Sequence, residues 1–201
     1  QVQYSCMATL DYKIMKNFFD DNELSLLQKY CDKKIEEGNN TIDDYSFSPS
    51  WYDDTLMTSI LETKLKLVEE ASDKKLLPTY AYWRYYVFGG DLKKHTDRPA
   101  CEISVTSCIK KLDNWSLLIE NAIIELEEGD ALLYAGCVHE HGRPGVYKGN
   151  GLAQAFFHYV EKDGVFSHHA YDNFSKIRRK TYADGDREIK KGLRKEYDQR
   201  R

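Results

Sequence analysis

Residues 95–97 read His-Thr-Asp. In an extended segment residues i and i+2 project to the same side, so the His95 imidazole and the Asp97 carboxylate can bind one metal ion together. A second imidazole from a distant strand would complete a facial set of two histidines and one carboxylate. That set suits non-haem Fe(II) and leaves three positions open, enough for a bidentate 2-oxo acid and dioxygen. His139-Glu140-His141-Gly142-Arg143-Pro144 offers two candidates, just after the apolar run Ala131–Tyr134. Strand alternation would put His139, His141 and Arg143 on one face, so parity does not choose between the histidines. Two registers stay open: His141 as the metal ligand with Arg143 two residues on as a nearby cation, or His139 as the ligand with Lys148 nine residues on. A planar guanidinium grips a carboxylate through two bonds, where Lys offers a point charge.

Other residues carry weaker signals. Arg84 and Tyr86 share a strand face, so both can point inward. Arg98 can form a structural ion pair with Glu102, the favoured reading, or reach substrate. Cys101, Cys108 and Cys137 fall in apolar runs and read as packing residues. His158 in the last strand and His168-His169 in the tail read as non-ligands.

These groups need elements to hold them. Asp20-Asp21-Asn22-Glu23 is a capping signature, Leu24, Leu27, Cys31 and Ile35 follow at helical spacing, and Gly38 stops the helix. A second helix is expected over 54–71, with Pro78 closing a helical N-terminal part, 1–79. Strand-like runs then follow at Tyr80–Phe88, Cys101–Ile109, Trp115–Glu120, Ala122–Leu126, Ala131–Tyr134 and Leu152–Val160, punctuated by Gly89-Gly90, Asp113-Asn114, Glu128-Gly129-Asp130 and Gly149-Asn150-Gly151. Their connections are too short for helical crossovers, which indicates an antiparallel sandwich or barrel over 80–160. A charged helical tail, 165–201, completes a single expected domain of mainly β class with flanking helices.

Composition narrows the function classes. The chain has 201 residues, 41% of them hydrophobic and 31% charged, which suits one domain with a sizeable core. No stretch approaches the roughly 18 apolar residues of a membrane helix. The net charge is −4, which argues against nucleic acid as a partner, although residues 176–201 carry 11 Lys and Arg against 5 Asp and Glu. That tail reads as a solvated helical face. Five scattered cysteines form neither a disulfide framework nor a CxxC pattern, and residues 1–4 show no secretory signal, so a cytoplasmic, reducing setting is expected.

The order and spacing of several segments carry a resemblance. Tyr82-Trp83-Arg84-Tyr85-Tyr86, then His95-Thr96-Asp97-Arg98-Pro99, then Glu128-Gly129-Asp130-Ala131-Leu132-Leu133-Tyr134, Glu140-His141-Gly142-Arg143 and Gln154-Ala155-Phe156-Phe157-His158-Tyr159 together resemble the 2-oxoglutarate- and Fe(II)-dependent dioxygenases, in a branch related to prolyl 4-hydroxylases. The resemblance spans residues 80–160. It implies a double-stranded β-helix, a jelly roll of cupin type, with Fe(II) held at its mouth by His95, Asp97 and a distal histidine. It also implies 2-oxoglutarate and O2 as cosubstrates, ascorbate as reductant, decarboxylation to succinate, and hydroxylation of a C–H bond in a peptide or amino-acid-like substrate. It implies a basic anchor for the far carboxylate of 2-oxoglutarate, favours His141 as ligand with Arg143 as that anchor over His139 with Lys148, and offers Tyr86, nine residues before His95, as a wall of the cosubstrate site or as core packing. The chain departs from the prolyl-hydroxylase pattern at one place. Gly151 stands ten residues beyond His141, where that pattern has a basic anchor. The alternative from another class is a metal-binding β-barrel without turnover, structural or sensory.

Overall fold

The computed structural model describes residues 10–172 and 184–200. Cys6, the first four residues and part of the basic tail lie outside the described residues.

Helix α1 (Asp21–Glu37) starts where the capping signature lies. The Asp20 carboxylate accepts the Asn22 and Glu23 amides, the Glu23 side chain accepts the Asp20 amide, and Gly38 ends the helix at φ 72°. The second expected helix is two, α2 (Thr55–Thr63) and α3 (Leu65–Ser72), broken at Lys64. The break lets each present its own apolar stripe, Met57 and Leu61 on α2 and Val68 on α3.

Strands form two antiparallel sheets. The larger contains β1 (Lys13–Met15), β2 (Thr41–Ile42), β3 (Pro49–Tyr52), β4 (Leu76–Tyr86), β5 (Ile103–Lys111), β8 (Ala131–Tyr134) and β10 (Leu152–Glu161), in the order β1-β8-β5-β10-β4-β3-β2. The smaller contains β6 (Leu117–Ile119), β7 (Ala122–Ile124) and β9 (His141–Gly142), in the order β7-β6-β9. The architecture is the expected jelly roll with N-terminal and C-terminal helices.

The first third is less purely helical than its pattern suggests, because β1, β2 and β3 are short strands stabilised by pairing with β8, with each other and with β4. Pro78 does not close the helical part. It lies inside β4, next to the register shift between His158 and Tyr159 on β10, where a residue without an amide hydrogen is tolerated.

Alternation along the four central strands divides the molecule. Trp83 of β4, Val105 of β5, Leu133 of β8 and Phe157 of β10 face one apolar core, packed under α1–α3. The intervening residues face the other way, toward the smaller sheet: Tyr86, Cys108, Leu132, Tyr134, Leu152 and Phe156 form a second cluster there. These strands are covered on both faces, which is why they read as unbroken apolar runs. Helix α4 (Asp184–Gln199) puts Leu193 and Tyr197 against Ala135, Cys137, Val138 and Phe166. No helix among the described residues is long and apolar enough to cross a membrane.

Candidate metal centre

His95-Thr96-Asp97 lies between β4 and β5 in extended chain outside the regular strands. A single antiparallel bridge holds it: the His95 amide donates to the His141 carbonyl and the His141 amide to the His95 carbonyl, both at 2.9 Å. The Asp97 amide donates to the Gly136 carbonyl at 2.8 Å. Gly136 is required for that approach. A Cβ there would stand 2.7 Å from Asp97 Oδ2 and would also strike Ser104 Oγ and the Cys101 carbonyl.

The backbone bridge brings three donors together. His95 Nε2 lies 3.5 Å from Asp97 Oδ1 and His141 Nε2 3.4 Å from Asp97 Oδ2, with the imidazole rings 4.5 Å apart. His95 Nδ1 lies 2.8 Å from the Lys93 carbonyl, and His141 Nδ1 lies 2.8 Å from the His139 carbonyl. A proton on each Nδ1 satisfies those carbonyls and leaves both Nε2 lone pairs aimed at the space beside Asp97. Burial pushes the Asp97 carboxyl upward, but the neighbouring His141 and His95 imidazoles outweigh it and hold Asp97 well below the usual carboxylate range. The carboxylate is therefore ionised and ready to ligate. Two imidazoles, each with its Nδ1 tied to a backbone carbonyl, and one carboxylate converge as a donor set for a divalent metal ion.

His139 is elsewhere. It is fully buried, its Nδ1 accepts the Ala135 amide at 3.1 Å, and its ring packs 4.9 Å from that of Tyr197. The expected shared face for His139, His141 and Arg143 fails because residues 135–139 form a turn, with the His139 amide donating back to the Ala135 carbonyl. Only His141–Gly142 is strand. Lys148 is exposed in the following loop and is not brought to the site.

Arg143 is buried inside the barrel. It donates to the Trp115 carbonyl and to Gln154 Oε1, and its guanidinium lies 5.4 Å from the Tyr86 ring centre and 5.2 Å from that of Trp115. Its Nε is buried without a hydrogen-bond partner, and no described carboxylate pairs with it. Burial without a counter-ion pushes its pKa below the ordinary arginine value. The other buried or half-buried arginines near the site are paired, Arg84 with Asp43 and Arg98 with Asp172. Tyr86 is fully buried, edge-on to Trp115 with ring centres 5.1 Å apart and beside the Arg143 guanidinium.

Arg84 faces inward with Tyr86, as the shared strand face requires, and hydrogen-bonds Ser50 at 2.8 Å. The expected Arg98–Glu102 ion pair does not form. Arg98 turns to Asp172 and lies over the Tyr80 ring, while Glu102 accepts the Glu161 amide at 2.7 Å. Residues 99–101 make a 3-10 turn between them, which sends adjacent side chains in different directions. Cys101, Cys108 and Cys137 are buried thiols raised by desolvation, consistent with packing roles. His158 is closer to the centre than its reading as a bystander suggests, since its ring can share a donor group with Asp97 and Cys101. Burial lowers its pKa to about 4, and its Nδ1 is taken by Ser104 at 2.9 Å.

A cavity of about 1040 Å³ opens beside His95 and Asp97, lined in part by Tyr45, Tyr52, Tyr80, Tyr82, Arg84 and Arg98. Gln154 and Lys190 escaped the sequence reading. Gln154 had a signal, a polar residue between Leu152 and Phe156 on the inward-facing register of β10. Lys190 had none: it reaches the site from α4, donating to the Thr96 and Asp97 carbonyls.

No sequence-family model matches the chain, and no curated protein matches it. Solved structures do. The viral collagen prolyl hydroxylase of Paramecium Bursaria Chlorella virus-1, in its 2-oxoglutarate complex, aligns at a TM-score of 0.58 and 12% identity, over 77% of this chain and 98% of that one. A Trichoplax adhaerens prolyl hydroxylase in complex with a hypoxia inducible factor peptide aligns at 0.61 and 12% identity, over 78% and 86%. HygX of Streptomyces hygroscopicus, with nickel, 2-oxoglutarate and hygromycin B bound, aligns at 0.59 and 10% identity, over 76% and 83%. The fold is that of the 2-oxoglutarate/Fe(II) oxygenases.

Proposed function

We propose that this chain is an Fe(II)- and 2-oxoglutarate-dependent dioxygenase that hydroxylates a C–H bond of a peptide or amino-acid-like substrate. The observation that carries the reading is Arg143, a buried guanidinium without a carboxylate, inside the barrel that has the His95, Asp97 and His141 donors at its mouth. A buried charge without a partner is costly by several kcal/mol. A dicarboxylate reaching from the metal site would supply the missing counter-ion and occupy the orphaned Nε.

Fe(II) bound with 2-oxoglutarate and O2 supplies an oxidant for an unactivated C–H bond while the cosubstrate becomes succinate and CO2. His95, Asp97 and His141 would hold one face of the ion, with their Nδ1 protons and the Gly136 contact fixing their aim. Arg143 and Tyr86 would hold the far carboxylate, with Gln154 and Trp115 orienting the guanidinium. The aromatic lining, with Phe156 and Tyr82 stacked 4.5 Å apart, would keep water from the reacting centre. The cavity beside His95 is roomy enough for a side chain on a peptide, and Tyr52, Tyr80 and Tyr82 offer flat walls for it. Two solved neighbours of this fold hold a hypoxia inducible factor peptide and hygromycin B, which supports a substrate cavity of this kind, and the resemblance supports the peptide or amino-acid class.

A peptide and amino-acid library incubated with Fe(II), 2-oxoglutarate and ascorbate, then read by mass spectrometry, tests the reading. A product heavier by one oxygen is expected with the wild-type chain and not with His141→Ala. The same product yield from both overturns the assignment.

A further inference from the structure

Outside the central site, two adjacent histidines and an aspartate converge. The 3-10 turn Ser167–His169 carries His168 and His169, whose rings stand 4.3 Å apart. His168 Nε2 lies 3.2 Å from Asp186 Oδ1, and His169 Nε2 lies 3.0 Å from Asp186 Oδ2. Asp186 sits in the first turn of α4 with a side chain only 5% exposed, and its two carboxylate oxygens face these two imidazoles.

We propose that His168, His169 and Asp186 form a second metal site, for a borderline divalent ion such as Zn²⁺, which staples α4 to the body of the molecule. Two nitrogens and one carboxylate oxygen are the donor set such an ion prefers. Ligands about 2.1 Å from a tetrahedral ion stand roughly 3.4 Å apart, within a few tenths of an ångström of the nitrogen–oxygen separations here, and the exposed side of His168 leaves a fourth position to water. All three ligand atoms lie within 4.8 Å of one another.

The position gives the site a purpose. His168, His169, Arg187 and Lys190 line the same large cavity as His95 and Asp97. One turn beyond Asp186, Lys190 donates to the carbonyls of Thr96 and Asp97, and Arg194 donates to the Val138 carbonyl at 2.7 Å and to Glu120. Helix α4 therefore braces both segments that carry the central donors. An ion that fixes its N-terminal end fixes that brace, and one wall of the cavity with it. The sequence reading set His168 and His169 aside as tail residues, since Asp186 is distant in sequence and completes the set only through the fold.

The test is Zn²⁺ uptake by the untagged full chain, stripped with chelator and dialysed against excess Zn²⁺. Wild type is expected to bind two ions. Asp97→Ala should bind one, and the double variant His168→Ala/His169→Ala should also bind one. In the Asp97→Ala background, Zn²⁺ should raise the melting temperature by about 5 °C, and adding the two histidine substitutions should remove that shift. Asp186→Asn, close to isosteric, guards against a folding defect and should also lose one ion. Equal uptake by wild type and both remote-site variants overturns the proposal. One ion in wild type and none in the double variant would uphold this site while the central reading fails.

Discussion

Charge compensation sets the two residues with the sharpest consequences. Arg143 is buried among neutral partners, whereas Lys148 is exposed. Arg143→Ala should therefore raise the 2-oxoglutarate concentration for half-maximal turnover by at least about tenfold, the effect of losing one charged hydrogen bond, and Lys148→Ala should leave it unchanged. Steady-state kinetics across a cosubstrate series reads both. Glu102 is the second case. Burial, aided by the Glu161 carboxylate and opposed by the Glu161 amide and Lys74, pushes its pKa up to about 8. An unfolded glutamate ionises near 4.3. Between those values the folded chain holds a proton that the unfolded chain has lost, so stability falls as pH rises, by at most about 1.4 kcal/mol per pH unit, and levels off above about pH 8. Glu102→Gln can still accept the Glu161 amide. It should melt above wild type at pH 8 and together with it near pH 4, in thermal unfolding monitored across that range.

Among the elements, the loops that present the donors depend on close backbone approach. Gly136 is the tightest point, between the Asp97 carboxylate and the Cys101 carbonyl. Gly136→Ala should displace Asp97 and weaken Fe(II) binding at least tenfold, measurable by equilibrium dialysis, while the β-sheets persist by circular dichroism. The elements themselves were unevenly legible. Helix α1 was readable because its cap, stripe and glycine stop are local signals. The strands β1 to β3 were not, since two to four residues carry too little periodicity and their stability comes from partners far along the chain. Pro78 misled for the same reason, because a register shift on the partner strand β10, invisible locally, accommodates it.

At the scale of the molecule, the His-x-Asp motif and the Glu140-His141-Gly142-Arg143 segment were legible as chemistry, and the backbone bridge between His95 and His141 brings them together. Parity alone left His139 in play. The turn at 135–139, which buries His139 against Tyr197, could be seen only once the chain was folded. The same holds for α4, whose charged face reads as solvated although Lys190 and Arg194 both turn toward the centre. The central claim is that His95, Asp97 and His141 hold iron for the turnover of 2-oxoglutarate. It is tested most directly by measuring succinate formed from 2-oxoglutarate in the presence of Fe(II), ascorbate and O2. Wild type and His139→Ala should produce succinate, and His95→Ala, Asp97→Ala and His141→Ala should fall to the protein-free rate. Succinate formation that survives Asp97→Ala undiminished, or that is lost in His139→Ala but kept in His141→Ala while all variants remain folded, would contradict the account.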